Sequence, residues 1–221
     1  MTTESNLRVP STMGGKTWFA IDGSLEPIEF AGTSFFRFPE ELARLVLKRF
    51  SKPGDTILDP FCGFGTALVA AERLGRIAYG IEHDQERAAY ASSRVRSPTL
   101  VIHDDVANLD RHRLPPMDLS FTSPPYTSFH DRSDDGFTHY WDDFETIFAS
   151  FRSVLLPQGR LVVELSNVRE ADGRVRPVGF VGASRLARLY DFECELVRCN
   201  TGPERAGPGY DHSYIVVFAH N

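Results

Sequence analysis

Four short runs of this 221-residue chain carry residue types that could act together on a ligand. In Asp59-Pro60-Phe61-Cys62-Gly63-Phe64-Gly65-Thr66, two glycines follow the apolar pair Ile57-Leu58, and glycine lets main chain approach a ligand closely where a helix begins. Glu82, seventeen positions beyond Gly65, is a carboxylate suited to accepting hydrogen bonds from two ribose hydroxyls. Asp104-Asp105 make a second acidic point. Ser123-Pro124-Pro125-Tyr126 joins a hydroxyl and proline carbonyls, stiffened by the rings, to an aromatic side chain.

Each run also has a plain structural reading, as a turn, a helix cap or a rigid surface loop. Two nucleotide-binding patterns compete for the glycines. The dinucleotide fingerprint asks for a third glycine or alanine where this chain has Leu68, and it leaves Ser123 to Tyr126 unexplained. A phosphate-binding P-loop fails, because no Gly-Lys-Ser/Thr follows.

The elements needed to bring these runs together are legible. Proline at the start, Glu40 and Glu41 in the first turn, Leu42, Leu45, Val46 and Phe50 on one face and Lys48-Arg49 at the end predict a helix over Pro39–Phe50. Then strand and helix patterns alternate: strand Thr56–Asp59, helix Thr66–Leu74, strand Ile77–Glu82, helix Gln85–Val95, strand Leu100–Asp104. Strand Asp118–Thr122, helix Asp142–Leu155, strand Arg160–Leu165 and helix Gly179–Tyr190 continue the rhythm. Two closing strands, Glu193–Cys199 and Tyr214–Ala219, are joined by a loop of the kind that links antiparallel neighbours. The expected fold is α/β: a Rossmann-like, seven-stranded, mostly parallel sheet with an antiparallel final strand and helices on both faces. It occupies residues 35–221. Residues 1–34, with turn signals at Gly14-Gly15 and Asp22-Gly23, read as an N-terminal extension with one hairpin. In such a sheet every one of the four runs begins where a strand ends, the edge at which open α/β sheets bind ligands.

Composition narrows the classes further. Hydrophobic residues at 42% and charged residues at 24% fit a globular chain and exclude wholesale disorder. The longest apolar stretches, such as Ile215–Ala219, are far too short to cross a bilayer, and Met1–Ser11 is polar, so a cytoplasmic location is the expectation. Cys62, Cys194 and Cys199 form no C-x-x-C pair and the histidines lack ligand spacing, so neither a disulfide framework nor a metal is expected. A net charge of −6 gives no global field for a nucleic-acid backbone. Of the basic residues only Lys16, Lys48 and Lys52 are lysine, and arginine suits bidentate phosphate contacts.

Taken together, D-P-F-C-G-F-G-T at Asp59–Thr66 followed by T-S-P-P-Y at Thr122–Tyr126 resembles the S-adenosylmethionine-dependent amino-methyltransferases of the DNA cytosine-N4/adenine-N6 family. The resemblance is close over about Phe35–Ile81 and Leu119–Tyr126. It implies S-adenosylmethionine as cofactor, with the methionine part cradled by Asp59, Phe61, Cys62, Gly63, Gly65 and Thr66 and covered by Phe38 and Pro39. Glu82, with His83 beside it, would hold the ribose, and Asp104 or Asp105 the adenine amine. Ser123, Pro124, Pro125 and Tyr126 would be the catalytic loop. Serine in its first place looks like the branch acting on cytosine N4 in DNA; an RNA base, or a small-molecule or peptide amine, is the alternative. The cofactor loop precedes the catalytic loop, which excludes the permuted arrangement.

The chain also departs from the resemblance. After Tyr126 only Thr127–Trp141 precede the next helix, which leaves no room for a target-recognition region, and that segment is acidic. Its plain reading is a solvated loop with an N-cap at Asp142 or Asp143; its functional reading is a lid. The best local basic patch is Arg169–Arg188, the expected phosphate contact, and Arg205–Ser213 is a further loop within reach. A homodimer would supply a recognition surface from a second subunit.

Overall fold

The computed structural model describes residues 17–28, 30, 37–126, 139–169, 173–201 and 212–221. Five strands follow the anticipated rhythm: β2 (Thr56–Asp59), β3 (Ile77–Glu82), β4 (Leu100–His103), β5 (Met117–Thr122) and β6 (Leu155–Leu165). They join β1 (Trp18–Ile21), β9 (Asp191–Asn200) and β10 (His212–Ala219) in one sheet of order β1-β9-β10-β6-β5-β2-β3-β4. β10 is antiparallel to β6 and β9, and the other pairings are parallel. A two-stranded hairpin, β7 (Val168–Arg169) with β8 (Val175–Arg176), grows from the end of β6.

Alternation along the strands divides the core into two layers. Ile57, Ala78, Leu119, Phe121 and Val162 face α1 (Glu40–Phe50), α2 (Thr66–Arg73) and Ala91 of α3 (Gln85–Arg94). Their neighbours Leu58, Ile81, Leu161 and Val163 face α4 (Tyr140–Ser150) and α5 (Val178–Leu186). The order reverses between β2 and β5, from which the chain winds outward in both directions, so the switch point lies between the ends of those two strands.

Four expectations are revised. The sheet has eight strands rather than seven, because Trp18–Ile21 lies parallel along Val197–Asn200 of β9. The hairpin expected in the extension is not seen at Asp22-Gly23, and Gly14-Gly15 falls outside the described residues. α4 starts at Tyr140 after His139, so Asp142 and Asp143 sit in its first turn instead of capping it. β6 begins at Leu155, where a helix was expected to be ending. Leu155 pairs with Met117, the register then shifts, and Gln158 with φ +66° carries the irregularity that precedes Arg160. The apolar Leu155-Leu156 matches either period, so it gave no sign of the change.

Past β1 the chain crosses to α1. Pro39 offers α1 no side-chain cap, and Glu26 supplies one: its carboxylate accepts the Glu40 amide at 3.1 and 3.3 Å. Phe30 then packs edge-on to Phe64 of the glycine loop and to Tyr90, with centroids at 4.9 and 5.6 Å.

Candidate active site

A cleft opens at the carboxyl ends of β2 to β5, lined by Pro60, Phe61, Ile81, Glu82, His83, Asp105, Val106 and Pro125. All four runs singled out in the sequence contribute to its wall.

The glycine loop is built by local turns. The Gly65 amide donates to the Cys62 carbonyl at 2.7 Å, and Gly65, with φ +77°, opens α2 from the left-handed region. Gly63 has φ +52° with no atom within 4 Å of where a Cβ would stand, so its main chain is bare towards a ligand. Asp59 is buried; its Oδ1 accepts the Thr122 hydroxyl at 2.6 Å and the Phe61 amide at 3.2 Å. Burial, set against those hydrogen bonds, pushes its carboxyl up to about 7. Thr66 Oγ1 is buried and makes no hydrogen bond among the described residues, leaving an acceptor and donor at the mouth of α2. Cys62 turns its side chain away into the core on the α1 side, close to Gly80, and burial raises its thiol well above the usual range. Phe38 is also in that core, with its ring 5.1 Å from Phe121, and Pro39 is buried beside it.

Glu82 holds the loop. One carboxylate oxygen accepts the Gly63 amide at 2.9 Å and the other the Asp84 amide at 3.0 Å, with His83 Nδ1 at 3.3 Å. Each oxygen keeps a further lone pair, so the same side chain can accept two hydroxyls. Of the two adjacent aspartates, Asp104 is occupied: Oδ1 takes the Asp105 amide and Asn108 Nδ2, and Oδ2 lies 2.8 Å from His112 Nε2. The Asn108 hydrogen bond, with those from Asp105 and His112, holds its carboxyl below the usual range. Asp105 instead caps the 3-10 turn at Val106–Arg111 and lines the cleft.

The Tyr126 hydroxyl organises the hydrogen bonds around Ser123. The Tyr126 hydroxyl donates to the Glu164 carbonyl at 3.3 Å and accepts the Ser166 amide at 3.0 Å. The 3.3 Å contact between Ser123 Oγ and the Tyr126 hydroxyl can run in either direction. With the tyrosine hydrogen on the Glu164 carbonyl, Ser123 is the donor and its Oγ can accept from another group. Tyr140 holds the same loop from α4 by donating to the Pro125 carbonyl at 2.8 Å. Sequence reasoning placed Tyr140 in a lid and missed Glu164 and Ser166, which lie in no motif and act through main chain.

The basic stretch is divided. Arg185 donates to Glu145 at 2.7 Å and Arg188 pairs with the same carboxylate, while the Arg185 guanidinium lies 5.2 Å from the Trp141 ring. Both are spent on fastening α5 to α4. Arg169, Arg174 and Arg176 sit on the β7–β8 hairpin. The acidic segment 127–138 and residues 205–211 lie outside the described residues.

Residues 27–93, spanning the segment before α1, the glycine loop and Glu82, match the N6/N4 methyltransferase family described as DNA methylase. The type II methyltransferase M.SmaI of Serratia marcescens is 41% identical over 66 residues, 30% of this chain and 23% of that protein. The match thus spans under a quarter of the relative's length. Among solved structures, a methyltransferase from Pyrococcus furiosus has a TM-score of 0.61 at 17% identity, covering 87% of this chain and 88% of its own. Magnesium protoporphyrin IX methyltransferase of Synechocystis, solved with bound S-adenosylmethionine, gives 0.54 at 13%, covering 82% and 79%. The fold is therefore the Rossmann-like fold of S-adenosylmethionine-dependent methyltransferases. Among the described residues, no helix is long and apolar enough to cross a membrane.

Proposed function

We propose that the chain transfers a methyl group from S-adenosylmethionine to the exocyclic amine of a nucleic-acid base, cytosine N4 in DNA. The Ser123 hydroxyl, which can accept a hydrogen bond while donating to Tyr126, beside a cleft lined by Glu82, Asp105 and Pro125, carries this reading.

The residues present fit the cofactor. Gly63 is bare on its open side, Thr66 Oγ1 lacks a partner among the described residues, and Glu82 keeps two lone pairs after holding the loop. Glu82 would take the ribose hydroxyls, Asp105 the adenine amine, and the turn Phe61–Thr66 the methionine part, with His83 at the wall. Bound there, S-adenosylmethionine supplies an electrophilic sulfonium methyl.

The substrate's difficulty is electronic, because the lone pair of an aromatic amine is drawn into its ring. Ser123 Oγ and the Pro124 carbonyl can accept the two amine hydrogens and concentrate density on nitrogen. The prolines, with Tyr126 and Tyr140 fixing them, hold that pair of acceptors rigid, so the amine is presented in one orientation. A base within a duplex must first be flipped out, at a cost of a few kcal/mol. The full chain, given S-adenosylmethionine labelled in the methyl group and single-stranded DNA, duplex DNA or RNA, should label cytosine in DNA on nucleoside mass analysis. Label in RNA, or none in any nucleic acid despite measured cofactor binding, would transfer the assignment to another amine.

A further inference from the structure

Phe180, in the first turn of α5, is a large apolar side chain left 59% exposed. It is not isolated. Its ring lies 5.2 Å from that of Tyr214, which in turn meets His212 edge-on at 5.3 Å, with His212 Nε2 and the Tyr214 hydroxyl 3.1 Å apart. The row has a fixed geometry. A Cβ on Gly179 would stand 2.9 Å from Tyr214 Cδ2, so the glycine lets the tyrosine lie against the helix, and the Gly179 amide is held by buried Asn167 at 3.0 Å.

The row also has a place. Tyr214 pairs with Leu165, the residue before the Ser166 that anchors Tyr126, and both tyrosines pack on the same core layer. The β7–β8 hairpin leaves the same strand end and presents Arg169 and Arg174 to solvent. Aromatic faces beside arginines are the combination that holds single-stranded nucleic acid, with bases stacked on rings and phosphates near guanidinium groups. We propose that Phe180, Tyr214 and His212, with the β7–β8 hairpin, form the surface that holds the strand flanking the target base, Phe180 stacking on a neighbouring base. This inference rests on the nucleic-acid reading above. The sequence of 169–176 counts three arginines against Glu170 and Asp172, a small excess, so stacking rather than charge dominates.

The test is the affinity of the full chain for a fluorescein-labelled 12-nucleotide DNA single strand, read by anisotropy, for wild type, Phe180→Ala, Phe180→Trp and Phe192→Ala. Phe192 is 52% exposed at the opposite end of the sheet and serves as the control. Phe180→Ala should weaken binding about five-fold or more, with Phe180→Trp restoring it and Phe192→Ala without effect. Cofactor affinity and thermal midpoint should stay at wild-type values. Equal affinity of wild type and Phe180→Ala, or an equal loss in Phe192→Ala, overturns the surface. The methyl-transfer assay separates the two readings: DNA methylated equally by wild type and Phe180→Ala removes the surface alone, whereas no nucleic acid methylated by wild type removes both.

Discussion

The Thr122 hydroxyl donates to Asp59 Oδ1 at 2.6 Å, across the point where the strand order reverses. One strand ends in the glycine loop and the other in Ser123-Pro124-Pro125-Tyr126, so a single buried bond ties the two halves of the site together. Its removal leaves a buried acceptor with one partner fewer, and Thr122→Val is expected to lose about 1–3 kcal/mol in urea unfolding.

The same carboxyl gives the protein a pH dependence. An acid raised from 3.8 to about 7 binds more protons folded than unfolded between those values. Its contribution to stability is full below pH 3.8 and is lost as pH rises to about 7. Wild type should lose stability over pH 5 to 7 relative to Asp59→Asn, by at most about 1.4 kcal/mol per pH unit. Urea midpoints for both proteins at pH 5, 6, 7 and 8 check this; parallel curves would refute it.

Tyr126→Phe keeps the ring and removes the oxygen that receives the Ser123 hydrogen. Ser123 can then donate as well as accept, and the Ser166 amide loses its partner. Methyl transfer should fall by roughly a hundred-fold in kcat, since a small misplacement of a reacting group costs that much. Cofactor affinity, measured by calorimetry, should be unchanged. Ser123→Ala should show the same split.

At Glu82 the expected split is the reverse. Glu82→Gln replaces one acceptor oxygen by a donor, so the Gly63 or Asp84 amide faces an N–H. Calorimetric affinity for S-adenosylmethionine should drop by about ten-fold or more, from a charge-assisted bond worth about 1.5–3 kcal/mol.

Two glycines distinguish ligand space from packing space. A Cβ at Gly63 meets nothing, so Gly63→Ala should cost only about 1–2 kcal/mol of backbone strain yet strongly weaken the cofactor. A Cβ at Gly80 would lie 2.6 Å from Leu68 Cδ1 and 2.7 Å from Cys62 Sγ. Gly80→Ala should lose about 1–3 kcal/mol of stability by overpacking and perturb the glycine loop only through Cys62. Denaturation and calorimetry on both variants separate the cases.

The elements that repeat a strand–helix alternation were legible because local pattern and tertiary role agree: Thr56–Asp59 and Ile77–Glu82 have the bounds their sequences indicate. Motif residues at the strand ends were equally plain. Trp18–Ile21 was not, because four residues acquire strand identity only from β9 alongside. Leu155-Leu156 gave no period, and the β7–β8 hairpin has two residues per strand, too few for a pattern. In the site, side-chain direction was not legible from spacing: Asp104 is engaged by Asn108 and His112, Cys62 points into the core, and Arg185 and Arg188 serve Glu145.

The parallel course of β1 brings the chain out at the same rim as the strand ends, and from there Glu26 caps α1 and Phe30 rests on Phe64. The outermost strand of the sheet is thereby tethered to the loop that would hold the ligand. Fraying of that edge and occupancy of the cleft share one equilibrium: what tightens the glycine loop also protects the first strand from proteases, and what peels the strand away loosens the grip on the ligand.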